Sequence, residues 1–169
     1  MAGFLPMAKH NGKIYFLFSR ERRYPRFRDS YKWCDFGGSM EKGEQKMDTA
    51  IREGYEETNG FLGTQQDIKN LFNTNYVTSI SSSTYTSFII EVDYDASLPK
   101  KFAELYDDIL KNNPKLLLNR DGLYEKDKAK WVSLGELPSF KKDVRVFYRK
   151  HISYIMRYFK YIKSDAHVL

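Results

Sequence analysis

Cysteine is almost absent from this sequence. The 169 residues include a single cysteine, Cys34, so no disulfide can form within the chain. A lone thiol is typical of proteins from a reducing compartment, and we expect an intracellular, cytoplasmic protein. Cys34 lies beside a short predicted strand and is expected to be a small apolar packing residue rather than a reactive thiol.

Long hydrophobic segments are also missing. The longest apolar run, residues 14–18, is far too short to cross a membrane, which requires about 20 residues. The opening MAGFLPMAKH lacks the charged segment and apolar run of a signal peptide. The sequence contains no internal repeat, low-complexity segment or Cys/His zinc pattern. We therefore expect a soluble protein that forms one domain over 1–169 and has no membrane partner.

Positive charge exceeds negative charge, with 28 Lys and Arg against 22 Asp and Glu and a formal net charge of +6. This balance favours an anionic partner but does not distinguish nucleotides, RNA and inositol phosphates. Arginines and aromatic residues concentrate in 20–31, where a loop could clamp phosphates and stack a base on a ring. The alternative is an exposed basic loop whose rings pack into the core. The candidate substrate-binding residues are Arg20, Arg22, Tyr24, Arg26 and Arg28.

The most informative stretch is 37–60, which reads GGSMEKGEQKMDTAIREGYEETNG. Its glycine pair permits a tight turn close to a bound group, because glycine has no Cβ. A helical pattern follows, in which Glu53, Glu56 and Glu57 project from one face through their i, i+3 and i+4 spacing. Crowded carboxylates suit a hard divalent cation such as Mg2+, particularly one that also contacts substrate phosphates. The predicted buried stripe of this helix consists of Met47, Ala50, Ile51 and Tyr55.

This stretch resembles the Nudix box, whose pattern is G-x5-E-x7-R-E-U-x-E-E-x-G-U with U an apolar residue. Two defining positions differ: Gly54 stands where an aliphatic residue is usual, and Asn59 stands where the family has glycine. Asparagine also tolerates the left-handed conformation that is needed just past a helix end. Gly54 should leave either a hole or a close backbone contact. The positions in register are Gly38, Glu44, Arg52, Glu53, Glu56 and Glu57.

The resemblance implies the Nudix fold, an α/β/α sandwich around a central mixed sheet. It also implies that Mg2+, with Mn2+ as a substitute, is held by the Gly37 carbonyl, Glu53, Glu56 and Glu57. Gly38, Glu44 and Arg52 are implied to maintain the geometry of the loop and the helix.

The resemblance also implies which groups carry the reaction. Glu57 is implied to be essential for turnover. Either Glu53 or Glu125 would accept the proton, and Asp127 is the alternative to Glu125 in the segment before Trp131.

The remaining elements follow from local patterns. Strands 3–9 and 13–20 are joined at Asn11-Gly12, a strong hairpin signal. A helix over 100–112, ended by Pro114, exceeds the minimal family core and is interpreted as an insertion. Its predicted apolar side consists of Phe102, Leu105, Ile109 and Leu110. Further strands are predicted at 33–36, 75–81 and 85–94 and, from the family resemblance, within 123–140.

A long C-terminal helix is predicted over 140–163. His151 lies near its apolar stripe and is expected to be a hydrogen-bonded packing residue. The basic face could contact RNA, or it could be the solvated face of a packing helix. The stripe is Val144, Phe147, Tyr148, His151, Ile152, Ile155, Tyr158, Phe159 and Ile162. The basic residues are Lys141, Lys142, Arg145, Arg149, Lys150, Arg157, Lys160 and Lys163.

The implied reaction is hydrolysis of a diphosphate linkage in a nucleoside diphosphate joined to another group. The basic surfaces favour a capped or triphosphorylated RNA 5′ end, by loose similarity to decapping Nudix enzymes, including those of large DNA viruses. One alternative is a small-molecule pyrophosphatase acting on nucleoside triphosphates, dinucleoside polyphosphates or diphosphoinositol polyphosphates. Another is a noncatalytic Nudix-like module that binds nucleotide or RNA. The sequence does not indicate an oligomeric state.

Overall fold

The structure is a computed structural model that describes residues 1–119 and 121–165, with side chains as far as residue 162. A mixed sheet occupies its centre. Seven strands form it: β1 (Ala2–His10), β2 (Lys13–Glu21), β3 (Trp33–Cys34), β4 (Phe36–Gly38), β5 (Tyr76–Ser81), β6 (Thr86–Glu91) and β7 (Lys126–Ser133). Five of the strands are hydrogen-bonded in the order β3-β2-β1-β6-β5. In addition, β4 pairs with β1 and β7 pairs with β2.

The predicted hairpin is confirmed. β1 and β2 pair antiparallel, and both turn residues, Asn11 and Gly12, have positive φ angles of 48° and 72°. This combination matches the right-handed twist of the two strands. β1 also pairs parallel with β6, which makes the sheet mixed.

Helices cover both faces of the sheet, which confirms the predicted α/β/α sandwich. On one face, α1 (Lys46–Glu57), α2 (Gln65–Thr74) and α3 (Leu98–Asn112) pack against side chains such as Phe4 and Leu17. On the other face, α4 (Leu137–Phe140) and α5 (Arg149–Asp165) pack against Leu5, Phe16 and Phe18. Neighbouring residues of β2 therefore point to opposite cores, as expected for a strand that is buried on both faces.

The C-terminal helix is shorter than predicted. Residues 143–145 instead run along Trp33: its N–H donates to the Asp143 carbonyl, and the Arg145 N–H donates to the Trp33 carbonyl. This pairing competes with helical hydrogen bonding, so α5 begins only at Arg149. The side chain of Lys163 lies outside the described residues.

Several details of the other predictions need correction. Met47, Leu110 and Ile162 are exposed rather than part of the apolar stripes. The predicted strand at 33–36 is two strands, β3 and β4, separated by Asp35. The insertion helix is present, as α3, and ends before Pro114 as predicted.

α2 was not predicted from the sequence. Its signals are present, because Thr64 and Asp67 form a capping box and Ile68 and Phe72 are the buried i, i+4 pair. Within 1–119 and 121–165, no helix combines the length and the apolar character required to cross a bilayer.

Candidate active site

The glycine pair brings the backbone of β4 close to its surroundings. A Cβ on Gly37 would overlap the Tyr85 hydroxyl, and a Cβ on Gly38 would overlap the Glu53 carboxylate. The Tyr85 hydroxyl is itself held by Asp35, to which it donates at 2.6 Å. The two glycines therefore allow β4 to pass directly beside the carboxylates of α1.

Gly54 is explained by a close contact. A Cβ at this position would lie 2.7 Å from Cδ1 of Phe4, a fully buried ring on β1. Of the two outcomes expected for this departure from the Nudix box, the structure has the close contact, between helix and ring. The other departure, Asn59, has a φ of 52° and adopts the left-handed conformation that was expected of it.

Arg52 connects the loop before α1 to the carboxylates of the helix. Its Nε lies 2.7 Å from Oε1 of Glu44, and its Nη1 lies 3.1 Å from Glu53 and 3.0 Å from Glu56. Its Nη2 also donates to the Ser39 carbonyl at 3.0 Å. These bonds lower the pKa of Glu44 to about 2, so Glu44 is ionised at neutral pH.

Glu57 is bonded to both the glycine loop and a buried lysine. The Gly37 N–H donates to its Oε2 at 2.6 Å, and the ammonium of Lys126 lies 2.9 Å from its Oε1. The same ammonium contacts Glu21, which in turn lies 3.3 Å from Arg145. Burial alone would lower the pKa of Lys126, but the carboxylates of Glu57 and Glu21 raise it above its ordinary value.

Burial also perturbs the other carboxyl groups. It raises the pKa of Glu53 to about 7; the charge of Arg52 opposes this change, and repulsion from Glu56 adds to it. Burial likewise raises the pKa of Glu56 and of Glu125. Perturbed carboxyl groups gathered in one cleft are a common feature of catalytic and metal-binding sites.

These side chains line one cleft of about 810 Å3. The loop and α1 provide one wall, and the segment 121–126 provides another. Two aromatic rings, Tyr24 and Phe27, and the guanidinium of Arg145 complete the lining. The full lining is Glu21, Tyr24, Phe27, Gly37, Gly38, Ser39, Glu41, Arg52, Glu53, Glu56, Glu57, Asp121, Gly122, Glu125, Lys126 and Arg145.

None of the four predicted substrate-binding arginines lines the cleft. Arg20 makes two hydrogen bonds to Asp127, at 2.8 and 2.7 Å, and Arg22 donates to the Leu117 carbonyl at 2.6 Å. Arg26 and Arg28 are exposed outside the cleft lining. Of that predicted set, only Tyr24 lines the cleft. Of the two acidic residues predicted before Trp131, Glu125 lines the cleft. Asp127 does not, and its carboxylate is bonded to Arg20.

Several lining residues were not predicted as part of a site, and the charged residues Lys126, Glu21 and Arg145 are the most informative of them. Lys126 and Glu21 gave no local signal, because their pairing spans 105 residues of sequence. Arg145 was assigned to a helix face, whereas its backbone pairs with Trp33 and its side chain reaches Glu21 and Asp29.

Cys34 and His151 are packing residues, as predicted. Both are buried, and burial raises the pKa of the Cys34 thiol and lowers the pKa of His151. The His151 ring stacks on Tyr148 at 5.1 Å, and its Nε2 lies 3.3 Å from the Tyr85 carbonyl oxygen.

The cleft offers the right donors for Mg2+ but does not present a finished coordination shell. Carboxylate and carbonyl oxygens are the ligands that Mg2+ prefers. Burial raises the pKa of Glu53 to about 7, so a cation bound beside it would favour its ionised form. Among residues 1–119 and 121–165, no three His, Cys, Asp or Glu side chains converge on one point that could hold a metal ion. Glu53 and Glu56 are instead paired with Arg52, and Glu57 is paired with Lys126. The donor chemistry therefore fits, and metal binding requires some of these bonds to be exchanged.

Three solved structures resemble the chain over most of its length. The Ap4A hydrolase of C. elegans, in a binary complex, has 17% identity and a TM-score of 0.53, covering 94% of this chain and 96% of that one. RenU, a Nudix hydrolase from M. smegmatis, has 14% identity and a TM-score of 0.58, covering 95% and 86%. A mutT/nudix family protein from Listeria innocua has 12% identity and a TM-score of 0.50, covering 99% and 94%. These similarities show that the chain has the fold of Nudix hydrolases.

One curated sequence is also similar. An uncharacterized protein of Acanthamoeba polyphaga mimivirus is 34% identical over 121 residues, which are 71% of this chain and 32% of the viral protein. The match thus spans about a third of the length of that relative. No protein-family model matches the chain. The solved structures establish the fold, and the chemistry of the cleft is the basis for inferring the reaction.

Proposed function

We propose that the chain is a Mg2+-dependent pyrophosphohydrolase that cleaves a diphosphate linkage in a nucleoside diphosphate joined to another group. The observation that carries this proposal is the arrangement of the cleft. Glu53, Glu56 and Glu57 lie along one wall beside the Gly37 backbone, and Glu125 lies along the other. Carboxylates on both sides of one cleft can hold a divalent ion and accept a proton from water.

The metal would be held by the Gly37 carbonyl and the carboxylates of Glu53, Glu56 and Glu57, with Mn2+ as a substitute for Mg2+. A bound Mg2+ supplies neutralisation of bridging phosphate oxygens and a lowered pKa for coordinated water. Lys126 contributes a fixed positive charge beside Glu57, and the Gly37 N–H keeps Glu57 oriented.

Two carboxyl groups are suited to accept the proton. Glu53 has a pKa of about 7, near the optimum for a general base at neutral pH. Glu125 faces the cleft, and its pKa is raised by burial. We favour Glu125, because Glu53 is already bonded to Arg52 and belongs to the proposed metal ligands.

The substrate proposed first is a capped or triphosphorylated RNA 5′ end. The rings of Tyr24 and Phe27 line the cleft, with 5.9 Å between their centroids. They offer apolar surface to a nucleobase. Exposed cations on α5, including Lys150, Arg157 and Lys160, could contact the following RNA phosphates.

The second candidate is a small nucleotide, such as a dinucleoside polyphosphate. One structural neighbour is an Ap4A hydrolase, and the cleft volume of about 810 Å3 lies within the range of small-molecule sites. In this case the basic face of α5 would be an ordinary solvated surface.

A substrate panel at fixed Mg2+ tests the proposal. It contains capped RNA, free cap dinucleotide, nucleoside triphosphates, dinucleoside polyphosphates and diphosphoinositol polyphosphate, and Glu57→Gln serves as the inactive control. Release of capped nucleoside diphosphate from RNA, with little from the free dinucleotide, would support decapping. Preference for a small substrate would support the second candidate.

Salt dependence separates the two substrate classes independently. RNA binding should weaken steeply with salt because bound phosphates release counterions, whereas turnover of small nucleotides should respond much less. If the wild-type protein hydrolyses nothing in the panel yet binds RNA or nucleotide, it is a noncatalytic binding module and the proposed reaction is wrong.

A further inference from the structure

Asn59 makes a contact that a glycine at its position could not make. Asn59 follows directly after α1 and the residue that caps it, and its side-chain Oδ1 accepts a hydrogen bond from the Tyr124 N–H at 3.0 Å. The two residues are 65 positions apart in sequence. The Nudix box has glycine here, so the bond exists only because this chain departs from the pattern.

The segment that donates this hydrogen bond has an unusual backbone conformation. Tyr124 has a φ of 60°, a conformation that bulky side chains rarely adopt and that persists only where surrounding contacts enforce it. Gly122 has a φ of 76°, and a Cβ on it would overlap the Glu56 carboxylate. The segment 121–125 thus lies directly against α1 at the position of one proposed metal ligand.

The same segment carries a candidate for the proton acceptor. Glu125 directly follows Tyr124 and lines the cleft with Asp121 and Gly122. A further bond holds its backbone from the other side, because the Arg22 N–H donates to the Glu125 carbonyl at 3.3 Å. The backbone at Tyr124 and Glu125 is therefore held by two hydrogen bonds, of which the Asn59 bond connects it to the end of the helix that bears Glu56 and Glu57.

We propose that Asn59 is a positioning residue, which fastens the segment 121–125 to the end of α1 and so places the Glu125 carboxylate opposite the metal-binding carboxylates. The inference rests on the proposed function, since Glu125 acts only if the cleft performs hydrolysis. The asparagine that replaces the glycine of the Nudix pattern would thus have a positioning role in this chain.

Asn59→Gly tests the proposal with little disturbance of the backbone. Glycine tolerates the left-handed φ and is the residue of the Nudix pattern, so the substitution removes the side chain, and with it the acceptor oxygen, without requiring a new backbone conformation. We expect kcat to fall roughly ten- to a hundredfold, because misplacing a catalytic group is costly, while KM stays nearly constant. Asn59→Asp keeps an acceptor oxygen and should restore most of the lost kcat.

A double-mutant cycle identifies the residue through which Asn59 acts. If Asn59 acts through Glu125, then Asn59→Gly should add nothing to the defect of Glu125→Gln. Multiplied defects in the double variant, or unchanged turnover in Asn59→Gly, would overturn the proposal.

Hydrogen exchange of the Tyr124 amide gives a readout that needs no turnover. Asn59→Gly should accelerate this exchange about fivefold or more, the factor that corresponds to one typical hydrogen bond. Accelerated exchange in a protein whose wild type hydrolyses nothing would refute the proposed function but leave the anchor intact. Unchanged exchange would refute the anchor itself.

Discussion

The ammonium of Lys126 and the carboxylate of Glu57 form a buried ion pair at 2.9 Å, with side-chain exposures of 2% and 3%. Lys126 comes from β7, whereas Glu57 is the last residue of α1. The last carboxylate of α1 is thus paired with a lysine from a distant part of the chain. Glu21 completes the arrangement by contacting the same ammonium.

Removing the ammonium should destabilise the fold strongly. Lys126→Met leaves the buried carboxylates of Glu57 and Glu21 without their shared partner, and breaking a buried ion pair in this way costs about 3–5 kcal/mol. Urea unfolding monitored by circular dichroism measures the change. Lys128→Met is the matched control, because Lys128 is exposed on the same strand, and it should change stability by less than about 0.5 kcal/mol. Equal stabilities of the two variants would show that the buried pair is not a structural requirement.

Restoring a side chain at Gly54 should also destabilise the protein, although alanine is the better helix former. The gain in helix propensity is about 1 kcal/mol, whereas overpacking a buried site costs about 1–3 kcal/mol. The new Cβ would lie 2.7 Å from the ring of Phe4, which is fully buried. Thermal unfolding of Gly54→Ala measures the net effect. The double variant Phe4→Leu/Gly54→Ala should recover part of the loss, and an alanine variant more stable than wild type would contradict the packing argument.

The pKa of Glu53, raised from an ordinary value of 4.5 to about 7, should appear in the pH dependence of stability. Because the folded carboxyl binds its proton more tightly than the unfolded one, this group makes stability fall as pH rises from about 4.5 through 7. Denaturant unfolding in metal-free buffer across this window measures the fall. Glu53→Gln cannot ionise and should flatten the curve, so identical pH dependences of the two proteins would contradict the burial of this carboxyl.

Elements with local signals could be predicted from sequence. The β1–β2 hairpin follows from Asn11-Gly12, and α1 and α3 follow from apolar periodicity. The Nudix fold was predicted from the resemblance of residues 37–60 to the Nudix box, and the solved structures confirm it.

Features that depend on distant partners could not be predicted. Lys126 looks like a solvated lysine in a charged segment, and only the folded chain brings it to Glu21 and Glu57. Residues 143–145 follow a helical pattern, but the edge of β3 at Trp33 offers competing backbone hydrogen bonds. The loop 20–31 reaches the cleft through Tyr24 and Phe27, but Arg20 does not line it, because this side chain pairs with the distant Asp127.

The turnover of Glu57→Gln is the most direct test of the proposed active site. The substitution keeps an acceptor for the Gly37 N–H, and Lys126 retains Glu21, so the variant should fold. Its Mg2+-dependent hydrolysis of the best panel substrate should fall at least about a hundredfold, since losing even an indirect partner of a metal costs roughly ten- to a hundredfold. Glu104→Gln, an exposed change on α3, should retain wild-type activity. Wild-type turnover in a folded Glu57→Gln protein would contradict the account.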